Sequence, residues 1–408
     1  MSWTRRQILA SIAGVCVVPG CLGSASDNDR PLPRSPAGTW RQARYDVQNT
    51  CVTDVTVPDR GTPAWSGGSG LITPLVVNET VYTVDDVLTA LNARTGERRW
   101  QIDLDIEESP NSATQPAVAD DHLVFASDSR LRSFSTVDGS KQWERTITGL
   151  PDQPITVVSD QQMGFSFFMR PEQSEPPSEL VAFKIESGKT EWTAPLRNLD
   201  APPAVAGDYV YVAGWSGRET EVLRCLRLDD GELVWERELE NRNTPPVVSG
   251  TNVSIADGTE IKIYNYSDGK QLESVGISHG QIRAIAVDDD TAFVLSQSGL
   301  SAISIPGGSE QWSLPEVEYT QVDGLAVGRD TVVAPVFLDS GSPNPSIAAF
   351  DRGDGTLRWY YTIDEAFSPA VVAPPVLADG VVYTMSNTKP GVTALGDLPP
   401  QEKENTSS

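Results

Sequence analysis

The stretch ALNARTGERRW, Ala90 to Trp100, decides the fold because its frame recurs along the chain. The first residue is followed by a glycine six positions later and by a tryptophan four positions after that. Further copies begin at Ser133, Ala182, Cys225, Ile263, Ala302 and Ala349. Only the copy from Ile263 lacks the tryptophan and carries Glu273 instead. The frame predicts a strand, a turn whose glycine adopts positive φ, and a second strand that carries the tryptophan.

Two further apolar runs joined by a tight polar turn precede each copy, as in Ala117–Phe125 and Ala204–Val212. Each unit of about forty residues therefore predicts four short strands. Four-stranded units repeated at this period are typical of β-propeller blades. A blade cannot bury both of its faces alone, so blades stack on their neighbours around a channel.

The two ends of the chain determine the number of blades. After Trp359 the sequence predicts three more strands, the last at Val392–Leu395. Near the N-terminus, Thr62–Trp65 is a predicted strand that ends in tryptophan and belongs to none of the other repeats. Pairing these ends predicts an all-β, eight-bladed β-propeller of four-stranded blades, closed by a composite blade from both termini. Such closure leaves no open sheet edge between the termini.

The first twenty residues resemble an export signal. Arg5 and Arg6 precede the apolar run Ile8–Val18, which is shorter than the roughly 20 residues of a spanning helix. The arginine pair resembles a Tat signal, and Val18–Cys21 resembles a lipobox whose Cys21 accepts a lipid. The alternative is an ordinary cleaved signal in which Cys21 is incidental.

These features divide the chain into four predicted segments. They are a Tat-type lipoprotein signal peptide at 1–20, a proline-rich polar tether at 21–38, the propeller at 39–398 and a polar tail at 399–408. We therefore expect a soluble body outside the cytoplasm, anchored by lipid to the outer face of the cytoplasmic membrane.

The composition is strongly acidic, with 31 Lys and Arg against 56 Asp and Glu and a formal net charge of −25. A chain with this charge repels phosphate backbones, so we expect no nucleic-acid partner. Lysine supplies only seven of the basic residues. An acidic excess with arginine preferred to lysine resembles the proteins of salt-adapted archaea.

The recurring frame resembles the tryptophan-docking motif of pyrroloquinoline-quinone (PQQ)-type eight-bladed propellers, A-x-[DN]-x-x-x-G-x-x-x-W. The copies from Ala90 and Ala349 match it at every position, and Trp40–Asp46 resembles the lead-in to the first blade of such proteins. The resemblance covers nearly all of the chain after the tether. It implies that a set of tryptophans packs between adjacent blades, namely Trp65, Trp100, Trp143, Trp192, Trp235, Trp312 and Trp359.

The sequence offers few residues that could take part in catalysis or bind a cofactor or metal ion. Quinoprotein dehydrogenases of this fold use PQQ and Ca²⁺ beside a pair of adjacent cysteines, whereas Cys16, Cys21, Cys51 and Cys225 are all separate. The chain is also shorter than those enzymes. We predict no catalytic, cofactor-binding or metal-binding residue and retain a PQQ- and calcium-dependent dehydrogenase as an alternative function. An extracytoplasmic location permits a Cys51–Cys225 disulfide, and a buried thiol at Cys225 is the alternative.

Other polar clusters have structural interpretations. Two histidines, His122 and His279, cannot supply a multi-histidine metal site. The run Asp288–Asp290 falls at an inter-strand turn, so a solvated hairpin is predicted and a cation site is the alternative.

Loop lengths indicate where a partner would bind. The longest connections between second and third strands lie at 170–179, 214–221 and 339–345, and variable loops on a rigid scaffold commonly carry binding residues. Trp215 lies outside every docking motif and is the candidate partner-contacting residue, with a local loop anchor as the alternative. The chain is similar to the BamB-like propeller lipoproteins of outer-membrane assembly. That resemblance implies a scaffold for unidentified envelope proteins, and we expect the chain to be a monomer. A ligand- or sugar-binding surface propeller remains a further alternative.

Overall fold

The computed structural model describes residues 29–70, 72–105, 114–170, 178–199, 201–216, 220–241, 244–338, 344–363, 373–385 and 391–399. Within them the chain forms eight antiparallel sheets, each with four main strands. This arrangement confirms the predicted all-β, eight-bladed propeller. The predicted signal peptide, with Arg5, Arg6 and the lipidation residue Cys21, lies outside the described residues.

Each blade runs from an innermost strand at the axis to an outermost strand at the rim. Blade 1 contains Leu75–Val77, Thr80–Val84, Val87–Asn92 and Arg98–Asp103. Blade 2 contains Ala117–Ala119, His122–Ser127, Arg130–Ser135 and Lys141–Thr146. Blade 3 contains Thr156–Val158, Met163–Met169, Glu179–Lys184 and Thr190–Pro195, with a 3-10 turn at Ser159–Gln161. Blade 4 contains Ala204–Ala206, Tyr209–Trp215, Glu221–Arg227 and Leu233–Leu239.

The second half of the ring follows the same order. Blade 5 contains Val247–Ser249, Asn252–Asp257, Glu260–Asn265 and Gln271–Gly276. Blade 6 contains Ile282–Asp288, Thr291–Ser296, Gly299–Ser304 and Glu310–Leu314. Blade 7 contains Ala326–Val327, Thr331–Phe337, Ser346–Asp351 and Leu357–Thr362. In blades 3, 4 and 7 a two-residue strand pairs with the same second strand, at Leu150–Pro151, Asn198–Leu199 and Glu318–Tyr319.

Blade 8 is the composite blade that the two ends of the sequence predicted. Its inner three strands are Val376–Ala378, Val381–Met385 and Val392–Gly396, and its outermost strand is Thr62–Gly67. Trp65 lies opposite Ala394, just as Trp100 lies opposite Ala90 in blade 1. The two termini therefore close the ring.

Each docking tryptophan lies over the turn glycine of the following blade. These glycines have φ between 65° and 75° in blades 1 to 7. A Cβ atom added to six of them would come closer than 3.0 Å to the indole of the preceding blade, and the same holds for Gly61, which meets Trp359 at the ring closure. The glycine thus serves two purposes, because it permits the turn and leaves room for the indole.

Most of the indole nitrogens are hydrogen-bonded to the next blade. Six of the seven donate Nε1–H to a backbone carbonyl there. Trp65 does not, and its Nε1 is buried without a partner. The corresponding carbonyl, that of Ala93, accepts instead from the Tyr383 hydroxyl at 2.9 Å.

The boundary between blades 5 and 6 lacks a docking tryptophan. Val275 takes the place of the indole above Gly308, and a Cβ atom added to this glycine would lie 3.1 Å from Val275 Cγ1. Glu273 accepts a hydrogen bond from the Gly307 amide at 2.8 Å. In the part of the chain that the structure describes, there is no helix of the length and apolarity required to span a bilayer.

Candidate functional site: the axial channel and an inter-blade cleft

Residues 37–56, which we call the axial segment, cross the channel and contact every blade. Seven amides of the innermost strands donate to this segment in chain order, those of Val76, Val118, Val157, Val205, Val248, Val287 and Val327. In blade 8 the Gly380 amide donates to the Thr56 carbonyl at 2.8 Å. The inner edge of each blade would otherwise carry unpaired amides, so the segment satisfies backbone groups all around the axis.

The axial segment holds a strained, tightly bonded turn. Tyr45, Asn49 and Cys51 have φ of 74°, 61° and 55°, a region that non-glycine residues rarely adopt. The Asp46 carboxylate accepts hydrogen bonds from the Gln48 and Thr50 amides, each at 3.0 Å. Burial raises the pKa of Asp46, although these hydrogen bonds oppose the shift. The turn is therefore fixed by its own polar contacts.

Asn49 joins the axial segment to two blades. Its Nδ2 donates to the carbonyls of Pro202 and Pro246, each at 3.1 Å, next to the innermost strands of blades 4 and 5. The side chain is fully enclosed. The left-handed backbone of Asn49 and the two hydrogen bonds donated by its side-chain amide thus fix the segment at this point.

The described residues of the channel do not fit a quinone–calcium site. Cys51 lies in the axial segment, whereas Cys225 lies beside Trp235 in blade 4, and both are free thiols in different apolar clusters. Burial raises the pKa of Cys51 to about 11 and that of Cys225 to about 12. Nowhere in the described ranges do three or more His, Cys, Asp or Glu side chains gather in a way suited to a metal ion.

One cluster combines the residue types of a hydrolytic triad, which the sequence had not brought together. His122 Nδ1 lies 2.9 Å from Ser133 Oγ, and its Nε2 lies 3.5 Å from Asp121. Ser133, however, is completely buried and donates its hydroxyl to Gln142 at 2.9 Å. A nucleophile must reach substrate, so this cluster is a structural hydrogen-bond network.

The candidate residue Trp215 lines a cleft of about 510 Å³ between blades 3 and 4, which we call the Trp215 cleft. Trp215 ends the second strand of blade 4, and its carbonyl accepts from the Arg197 amide at 3.2 Å. Arg224 crosses the cleft and donates to the Pro195 carbonyl at 3.2 Å. Leu233, on the outermost strand of blade 4, also lines the cleft and is half-exposed. The lining of the cleft thus combines Trp215, two arginines and apolar residues.

Two further clefts between described residues have different linings. A cleft of about 490 Å³ between blades 6 and 7 contains Tyr360 and Leu357 but no arginine, and the cleft of about 410 Å³ between blades 1 and 2 contains mainly charged groups. Of the predicted partner loops, residues 171–177, 217–219 and 339–343 lie outside the described residues. The tail at 399–408 is described only at its first residue.

Comparisons with known proteins agree with this architecture. A family profile described as "Outer membrane protein assembly factor BamB" matches residues 55–218 and 218–406. No curated protein sequence matches the chain. The structure is similar to BamB from Moraxella catarrhalis, with 14% identity, a TM-score of 0.58, and coverage of 82% of this chain and 99% of that one.

Two other solved structures share the fold. The computationally designed Ika8 protein is 13% identical with a TM-score of 0.61, and the match covers 81% of this chain and 100% of that one. The quinohemoprotein alcohol dehydrogenase from Comamonas testosteroni is 13% identical with a TM-score of 0.62, over 89% of this chain and 82% of that one. An assembly factor, a designed protein and an enzyme thus have similar folds, and the fold alone does not assign an activity.

Proposed function

This chain belongs to the family described as outer membrane protein assembly factor BamB, and on that premise we propose that it is a monomeric, exported, lipid-anchored scaffold. It binds an envelope protein at the cell surface rather than transforming a substrate. The Trp215 cleft is the observation that carries this proposal, since it is a preformed concave surface on a rigid ring.

The chemistry of the cleft favours a protein partner. Tryptophan and arginine are over-represented among residues that dominate binding energy in protein interfaces. Here Trp215 and Arg224 line one cleft, and Leu233 adds apolar area at its wall. Arg224 is held by Glu236 at 2.6 Å, so its position is set before a partner arrives and less ordering is needed on binding.

The path of the N-terminal residues supports an orientation of the anchored protein. The Arg30 amide donates to Ala64 in the outermost strand of blade 8, and the Leu32 amide donates to Arg94 in a hairpin turn of blade 1. Arg34 pairs with Asp379 at the first hairpin turn of blade 8. The chain therefore passes over the propeller face that carries these turns, whereas Trp215 ends a strand at the opposite face.

The length of the tether limits how far this face can move from the membrane. Cys21 lies eight residues before Asp29, and a fully extended chain of that length spans at most roughly 28 Å. A lipid on Cys21 would therefore keep the face with the hairpin turns towards the membrane. Trp215 would point away from the membrane, where an envelope partner could reach it.

Photo-cross-linking in intact cells tests the proposal. A photoreactive amino acid at position 215 should capture a defined partner, whereas the same group at Val137 should not. Val137 is 79% exposed in the hairpin turn between the third and outermost strands of blade 2, on the other face. The variant Trp215→Ala should lose the partner in a pull-down and keep its melting temperature. Equal capture at both positions would contradict an interface at the cleft.

The anchor needs a separate test. The variant Cys21→Ser should move the protein from the membrane fraction to the aqueous fraction while it remains folded. Retention of this variant in the membrane fraction would contradict lipidation at Cys21, without bearing on the Trp215 interface.

A further inference from the structure

Three Asn-X-Ser/Thr triplets lie within the described residues, beginning at Asn78, Asn252 and Asn265, and a fourth, from Asn405, lies outside them. Such a triplet is the acceptor motif for N-linked glycosylation of exported proteins. Because the hydroxyl is part of the motif, a transferase that acts on the folded chain must reach both the asparagine amide and the hydroxyl two positions later. The exposure of that hydroxyl therefore decides which triplet can serve.

The hydroxyls of the first two triplets are enclosed in strands. Asn78 is exposed in the first hairpin turn of blade 1, but Thr80 is only 4% exposed. The Thr80 hydroxyl accepts from Arg99 at 2.9 Å and donates to the Asn78 carbonyl at 3.3 Å. Ser254, which completes the triplet of Asn252, is 2% exposed on the second strand of blade 5. Neither hydroxyl is accessible while its blade is folded.

The third triplet forms an open turn. Asn265 ends the third strand of blade 5, and Ser267 is exposed in the turn that leads to the outermost strand. Asn265 Oδ1 accepts from the Ser267 amide at 3.0 Å, from the Ser267 hydroxyl at 2.8 Å and from the Asp268 amide at 3.3 Å. An asparagine that caps the backbone two residues later in this way fixes its own side chain. The Asn265 side chain is therefore held through its oxygen.

The amide nitrogen of Asn265 is the free group of this turn. Within the described residues, Nδ2 donates no hydrogen bond, and it is not enclosed. An amide carries its donor and its acceptor on separate atoms, so a substituent on Nδ2 leaves Oδ1 able to accept from the turn. The Tyr266 carbonyl accepts from Trp235 Nε1 at 3.2 Å and from the Tyr211 hydroxyl at 2.9 Å. Docking of blade 4 on blade 5 thus holds the turn in place.

We propose that Asn265 carries an N-linked saccharide, an inference that rests on the export of the chain proposed above. In the transfer, Nδ2 forms a bond to the anomeric carbon of a saccharide that is carried on a polyprenyl phosphate lipid. The bond from that carbon to the phosphate oxygen breaks, the phosphate leaves with the electron pair, and one amide proton goes to a base of the transferase. The turn lies on the face that the tether would keep towards the membrane, where a lipid-linked donor is held.

Mass spectrometry of the protein purified from the cells that naturally produce it tests the site. Trypsin cleaves after Lys262 and Lys270, and the peptide 263–270 contains no asparagine other than Asn265. This peptide should be heavier than its sequence by the mass of a saccharide, and fragmentation should place the addition on Asn265. An unmodified peptide would overturn the proposal. A saccharide at Asn78 or Asn252 would overturn the selection by an exposed hydroxyl.

Variants in the turn separate the acceptor chemistry from the fold. Asn265→Asp removes Nδ2 and keeps an oxygen that can accept the same hydrogen bonds, as Asp351 does in the equivalent turn of blade 7. Ser267→Ala keeps the asparagine and removes the hydroxyl, whereas Ser267→Thr keeps both. The first two variants should lose the added mass, and Ser267→Thr should retain it. Added mass that persists in Ser267→Ala would overturn the proposal, because the modification would then not depend on the triplet.

Export is measured separately, so that the two proposals can fail independently. A membrane-impermeant, amine-reactive reagent added to intact cells should label an exported chain whether or not it carries a saccharide. A labelled chain with unmodified Asn265 would overturn the glycosylation alone. An unlabelled and unmodified chain would overturn both the glycosylation and the proposed location outside the cytoplasm.

Discussion

Substituting alanine for Gly231 tests the docking of one blade on the next. Gly231 is the turn glycine of blade 4 and has φ +72°, and an added Cβ would lie 2.5 Å from Cε3 of Trp192 in blade 3. Gly207, in the first hairpin turn of the same blade, has φ +56° with nothing within 4 Å of an added Cβ. The two glycines thus share a left-handed backbone and differ in whether an indole lies above them.

The expected losses in the free energy of unfolding follow from this difference. Forcing alanine into the left-handed region costs about 1–2 kcal/mol at either position. Overpacking adds about 1–3 kcal/mol, at Gly231 alone. Trp192 has little freedom to move aside, because its Nε1 donates to the Leu228 carbonyl at 2.8 Å and its ring contacts Phe165. We therefore expect a loss of about 2–5 kcal/mol for Gly231→Ala and about 1–2 kcal/mol for Gly207→Ala.

Urea unfolding followed by tryptophan fluorescence measures both losses. The midpoint should fall further for Gly231→Ala than for Gly207→Ala, with an unchanged slope, since a changed slope would signal an altered denatured state or an intermediate. Losses that agree within about 0.5 kcal/mol, the usual scatter of surface substitutions, would refute the claim that the glycine is required by the indole above it.

Three further perturbations test separate features of the fold. Trp143→Ala removes a buried docking indole and should cost about 3–5 kcal/mol in thermal or urea unfolding, and an unchanged melt would exclude docking at this blade. Asn49→Gly keeps the left-handed turn but loses both hydrogen bonds to blades 4 and 5, so it should cost about 1–3 kcal/mol. Asn49→Ala should cost more, and the reverse order would contradict the assigned strain. For Asp257, burial raises the pKa, but hydrogen bonds from Lys262 and two backbone amides outweigh it and lower the pKa below its ordinary value of 3.8. Its stabilisation is therefore present above pH 3.8 and is lost as the pH falls through the lower folded value. Melting against pH should show a smaller acid-induced loss in Asp257→Asn than in the wild type, and identical profiles would exclude this role.

The repeat made most of the fold predictable from sequence. A glycine and a tryptophan at fixed spacing mark the turn and the outermost strand of a blade, and the unclaimed strand ending at Trp65 predicted the composite closure. The docking glycine of that closing blade, Gly61, was missed, although it precedes Trp65 by the same four positions as Gly96 precedes Trp100. Gly61 directly precedes the outermost strand of blade 8, whose inner strands come from the other end of the sequence. No third strand precedes this glycine in the sequence, so the recurring frame did not identify it.

The candidate sites were less predictable, because they depend on contacts between distant parts of the chain. The axial segment has neither helical nor strand periodicity, and it is held by amides spread from Val76 to Gly380. Nothing in its own residues specifies those partners. Similarly, Trp215 was recognised as an unassigned aromatic residue, but the cleft that it shares with Pro195 arises only when blades 3 and 4 pack together.

The axial segment also determines how the molecule would respond to force. If the N-terminus is anchored, tension passes first to the contacts of Arg30 and Leu32 at the edge of the ring and then to Trp40 and the rest of the segment. These contacts follow one another along the chain. Under tension they would therefore break one after another rather than all at once. The closing strand Thr62–Gly67, which follows the segment and is held by a continuous ladder, would carry tension only after the segment has peeled away. Under that condition, the axial segment would protect the ring from tension applied at the N-terminus.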